Sequence, residues 1–80
     1  MSREALYFAQ GFVEKLGTLK AETAVRCKSQ EAALRAALRL GETKAGAVAF
    51  SSSGDVELGD FDEAPTILSV IGRVPEEFMQ

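Results

Sequence analysis

The chain has 80 residues, of which 46% are hydrophobic and 26% charged, and its formal net charge is −3. That length fits one domain with a modest core, and that composition excludes disorder. The longest uncharged run, Ala45 to Gly54, is ten residues, about half of the roughly twenty that a membrane helix requires.

Residues Glu4 to Glu14 are rich in aromatic side chains and apolar on both alternating parities, which predicts a central strand. Lys15-Leu16-Gly17-Thr18 supplies a glycine-containing turn. From Leu19 to Lys28 the residues alternate. Leu19, Ala21, Thr23, Val25 and Cys27 take one parity, and Lys20, Glu22, Ala24, Arg26 and Lys28 take the other. One apolar and one largely charged side predict an edge strand with one face in water.

Ser29 is a good helix N-cap, and Glu31 falls in the first turn, where the helix dipole favours an acid. The composition predicts a helix over Gln30 to Leu40, with Gly41 as its stop. At about 100° per residue, Ala33, Ala37, Leu34, Leu38 and Leu40 share one side, and Glu31, Arg35 and Arg39 the other. Alanines in the middle of the apolar stripe predict close approach of the helix to a sheet, with larger strand side chains filling the space between.

Ala45 to Ser51 reads as a third strand, and Ser52 to Pro65 as a long connection. Thr66 to Gly72 reads as a fourth strand, with Pro75 opening a short tail that contains Phe78. The predicted fold is α+β, in the order β-β-α-β-β. A four-stranded, mainly antiparallel sheet in the order 2-1-3-4 carries one helix on one face. The whole chain, 1–80, is one domain.

The first strand offers Leu6, Phe8 and Phe12 on one parity and Tyr7, Ala9 and Val13 on the other. The fourth offers Ile67 and Ile71 on one and Leu68 and Val70 on the other. One helix covers one face only, so the other needs a cover. Phe61 and Phe78 are one candidate, and a second copy of the chain is the other. Tyr7 and Val70 are assigned to that second face, and a homodimer is expected. Gly11 marks a place where a bulge would reassign the faces.

The chemistry-bearing residues are sparse. Without histidine, neither a Ser–His nor a Cys–His nucleophile pair exists, and one cysteine does not make a zinc site. The expectation is a chain that is not an enzyme and has no catalytic residue, cofactor or metal. Cys27 shares the parity of Val25, which reads as a small core residue, against a reactive thiol beside Arg26, Lys28 and the helix start. The start Met1-Ser2-Arg3-Glu4, followed by nine uncharged residues without a small-residue cleavage site, predicts no secretory leader. With the lone cysteine this gives a cytoplasmic expectation.

Charge is uneven along the chain. Residues 15–44 carry seven basic groups against three acidic ones, whereas residues 45–80 carry one against seven. Lys20, Arg26, Lys28, Arg35 and Arg39 form a candidate basic face for nucleic acid. The acidic pI and the lack of interleaved aromatics argue against that partner, and the same charges suit protection of an edge strand. Asp55, Glu57, Asp60, Asp62 and Glu63, with Phe61, form an acidic loop whose spacing does not match an EF-hand and whose length suits contact with a protein partner.

The runs Ser29-Gln30-Glu31-Ala32-Ala33-Leu34-Arg35-Ala36-Ala37, Ala45-Gly46-Ala47-Val48-Ala49-Phe50-Ser51 and Gly59-Asp60-Phe61-Asp62-Glu63-Ala64-Pro65 resemble small uncharacterised bacterial proteins, mostly from proteobacteria. That resemblance implies no activity. The helix start at Ser29 also resembles that of antitoxins of the HicB type, which place such a helix after a sheet and pair with a ribonuclease toxin. The chain departs from them in having neither a three-stranded meander before the helix nor a DNA-binding segment after it. The leading expectation is a non-catalytic, self-associating protein-interaction module with an unidentified protein partner. The alternative is a nucleic-acid-associated regulator or antitoxin-like protein that uses the basic residues.

Overall fold

The computed structural model describes residues 4–55, 58–61 and 65–76. The elements are β1 (Glu4–Lys15), β2 (Thr18–Ala21), β3 (Val25–Cys27), α1 (Gln30–Thr43), β4 (Gly46–Asp55), β5 (Asp60–Phe61) and β6 (Thr66–Gly72). The α+β class holds, with one helix on an antiparallel sheet. The sheet runs β2-β1-β4-β5, with β3 also on β1 and β6 also on β4. This differs in detail from the order 2-1-3-4. The expected second strand is two short strands on the same edge of β1, and β5 is an added two-residue strand.

Leu16 and Gly17 both have positive φ, 53° and 80°. Two such residues between Lys15 and Thr18, which pair in register, make the primed two-residue turn whose twist suits a hairpin. Beyond it the alternation breaks once. Ala21 stands opposite Phe12, while Val25 stands opposite Ala9. Three residues, Glu22 to Ala24, therefore face two, Gln10 and Gly11. The extra residue reverses the side-chain parity. Leu19 and Ala21 lie on the face of Phe12, and Val25 and Cys27 on the face of Ala9. The single apolar face expected for Leu19 to Lys28 is thus divided between both sides of the sheet. The offset is held by the Glu22 N–H donating to Gly11 O at 2.9 Å and by the Gln10 amide donating to Glu22 O at 2.7 Å. Lys44, which caps α1, pairs with Glu22 at 2.8 Å.

The helix begins as expected, with the Ser29 hydroxyl accepting from the Ala32 N–H at 3.1 Å. It does not stop at Gly41. It continues to Thr43, and the Lys44 N–H donates to Leu40 O at 3.0 Å. Gly41 is a packing position. A Cβ there would lie 2.5 Å from Cγ2 of Ile71, so the absence of a side chain lets α1 rest directly on β6.

The core has two layers. Between helix and sheet it consists of Ala9, Ala33, Ala37, Ala47 and Ala49, all fully buried. Tyr7, Cys27, Leu34, Leu40, Leu68 and Ile71 pack around that layer. Alanine meets alanine at the centre, so the larger strand side chains sit at the rim rather than filling the middle. Leu38, expected on the apolar side, is 59% exposed. It is rotated by about 130° from the middle of the stripe formed by Ala33, Ala37 and Leu40. On the opposite face, Phe12 and Val48 are fully buried beneath Val74, with Leu19, Phe50 and Ile67 beside them.

Candidate functional site

A second irregularity decides which β6 side chains reach the far face. Ser69 stands opposite Ala49, but Ile67 stands opposite Phe50, with the register shift between them. Leu68 is the extra residue, so Ile67 and Val70 share the face of Val48 and Phe50, while Leu68 and Ile71 pack under the helix. This replaces the expected grouping of Ile67 with Ile71 and Leu68 with Val70. Val70 is on the second face, as assigned. Tyr7 is not: it packs against the alanine layer on the helix side, because it follows Ala9 rather than Phe8 in the alternation.

The second face is closed at one end and open at the other. Phe12 and Val48 are shut off by Val74, which is 7% exposed. Toward the far end, Phe8 and Phe50 pair directly across β1 and β4 with stacked rings 5.2 Å apart. Both are half-buried, as are Leu6 and Ile67, and Val70 is 37% exposed. An apolar strip thus runs from Leu6 to the margin of β6. Phe78 and the side chain of Phe61, the two expected covers, lie outside the described residues.

The five basic residues do not form one surface. Lys20 pairs with Val13 and Arg26 with Phe8, positions on opposite faces of β1. The bulge between β2 and β3 causes this separation. Arg35 and Arg39 point into water from α1. Arg26 and Lys28 do line an open hollow of about 380 Å³ with Ala5, Leu6, Tyr7 and Cys27. Cys27 is half-buried, packs against the alanine layer, and donates its S–H to Val25 O at 3.6 Å.

The acidic segment is shorter as a loop than expected. β4 continues to Asp55, then pairs with Asp60 and Phe61 of β5. The turn is tied by Asp55, whose backbone O accepts from the Gly59 N–H at 2.8 Å and whose carboxylate accepts from the Leu58 N–H at 3.2 Å. Glu57, Asp62 and Glu63 lie outside the described residues, as does the side chain of Asp60. Among the described residues no group of three or more His, Cys, Asp or Glu side chains could hold a metal. No helix in the described residues is long and apolar enough to cross a membrane.

No family model, curated protein or solved structure matches the chain. Its function is therefore argued from its own surfaces. The residue that sequence reasoning misplaced with most consequence is Leu38. The signal was available in its angular position, at the flank of the alanine stripe rather than within it.

Proposed function

We propose that this chain is a non-catalytic protein-interaction module that associates with itself. The observation that carries this reading is the apolar strip of Leu6, Phe8, Phe50, Ile67 and Val70. It lies on the face away from the only described helix, half-buried or exposed throughout. Monomers rarely expose contiguous apolar patches larger than a few hundred Å². Burying the strip returns roughly 25 cal/mol per Å², from which the lost translational and rotational freedom is subtracted. A domain of this size gains proportionally more from such burial than a larger one.

Sedimentation equilibrium tests the reading. The expected result is a species at twice 8.6 kDa at micromolar concentration. A single species at 8.6 kDa, persisting to high micromolar concentration, would refute self-association.

A further inference from the structure

The two outer edges of the sheet differ in kind. One edge, formed by β2 and β3, carries the exposed charges Lys20, Arg26 and Lys28, and it is interrupted by the offset at Glu22 to Ala24. Charge and interruption are the usual protections against strand addition. The other edge is formed along β4 by the two-residue β5, which carries Asp60, and by β6, and the seven residues of β6, Thr66-Ile67-Leu68-Ser69-Val70-Ile71-Gly72, contain no charged residue and no proline.

The hydrogen-bonding state of β6 follows from its register. The Arg73 N–H donates to Ala45 O at 3.0 Å. Along an antiparallel ladder the main-chain groups alternate, so those of Ile71 and Ser69 point to β4 and those of Val70 and Gly72 point outward. Within the described residues β6 pairs with β4 alone. The β6 side chain that meets water at this edge is aliphatic: Val70 is 37% exposed on the second face.

We propose that β6 is the seam of a homodimer, in which the β6 strand of a second copy adds antiparallel about a two-fold axis normal to the sheet. This rests on the self-association reading and names its geometry. A second copy suits the edge because the pairing is self-complementary. The same outward N–H and C=O groups serve both partners, and an uncharged strand sets no like charges against each other. The symmetry keeps both helices on one face. On the face away from the helices the two Val70 side chains flank the seam. The strip from Leu6 to Val70 becomes continuous across the dimer.

Val70→Pro tests the seam, because it removes an outward N–H and leaves the ladder to β4 intact. The expected result is a monomer by sedimentation equilibrium with near-native far-UV CD. Amide exchange in the unmodified chain is the second measurement and needs no variant. The Val70 and Gly72 amides should slow about tenfold when roughly nine-tenths of the chain is dimeric, since exchange then runs through the free monomer. If Val70→Pro unfolds, the exchange result alone decides. A dimer whose Val70 and Gly72 amides exchange at the same rate at low and high concentration would overturn the seam and leave self-association standing. A dimer that survives in folded Val70→Pro would do likewise. A monomer at high micromolar concentration would overturn both.

Discussion

Gly41→Ala gives a sharp test of the helix–sheet contact, because two effects of opposite sign meet at one methyl group. In an unhindered helix interior, alanine is better than glycine by about 1 kcal/mol. Here the new Cβ would lie 2.5 Å from Cγ2 and 3.3 Å from Cβ of Ile71. Carbon atoms prefer a separation of about 3.5–4.0 Å, so the helix must rise or Ile71 must move by about 1 Å or more. Ile71 is β-branched, part of a strand and packed against the alanine layer, which leaves it little freedom to move. Overpacking of this kind costs about 1–3 kcal/mol. The net expectation is destabilisation by about 1 kcal/mol, or a fall in Tm of about 4–8 °C for a domain of this size. Thermal and urea unfolding monitored by CD measure it. The double-mutant cycle isolates the cause. Ile71→Ala alone should cost about 2–4 kcal/mol, and Gly41→Ala added to it should then be neutral or stabilising. A Gly41→Ala single variant with raised Tm would refute the contact and leave Gly41 an unhindered helix-interior position.

Three further outcomes follow from the geometry. Leu16 is fully exposed with positive φ, a conformation that asparagine tolerates better. Leu16→Asn should therefore raise stability by about 0.5–1 kcal/mol in urea unfolding, and a loss would refute the primed turn. Ser29→Ala removes the N-cap acceptor of the Ala32 N–H and should cost about 1 kcal/mol, with no rescue by salt. Because Lys20 and Arg26 lie on opposite faces, duplex DNA and RNA should show no sub-micromolar binding in a gel shift at physiological salt. Tight binding that is lost when Arg35 and Arg39 become Glu would refute that expectation.

The parts of the fold readable from sequence were those set by local chemistry. Ser29 and Glu31 announced the helix, Leu16-Gly17 the turn, and the β-branched run from Thr66 the last strand. What escaped was what a single inserted residue does. Alternation in Leu19 to Lys28 reads as one unbroken strand, and nothing in it says that three residues will stand opposite Gln10 and Gly11. The same holds for Leu68, which divides β6 between two faces. Gly11 did signal trouble at the right place, although the extra residue lies on the strand facing it. Gly41 looked like a stop because the reason for its small size, Ile71, is thirty residues away in the chain. The surface suffered from these same offsets. Val70 was placed correctly, Tyr7 was moved to the helix side, and the five basic residues were scattered.

The alanine layer also governs how this protein meets heat and cold. Alanine exposes little apolar area on unfolding, and among the described residues the only large side chains wholly enclosed are Phe12 and Val48. The heat-capacity increment of unfolding scales with the apolar area released. It should therefore fall below the usual value of about 12–15 cal/mol/K per residue. A small increment flattens the stability curve, so the protein should hold a modest stability almost unchanged over a broad range of temperature and resist cold denaturation better than a leucine-filled domain of equal length.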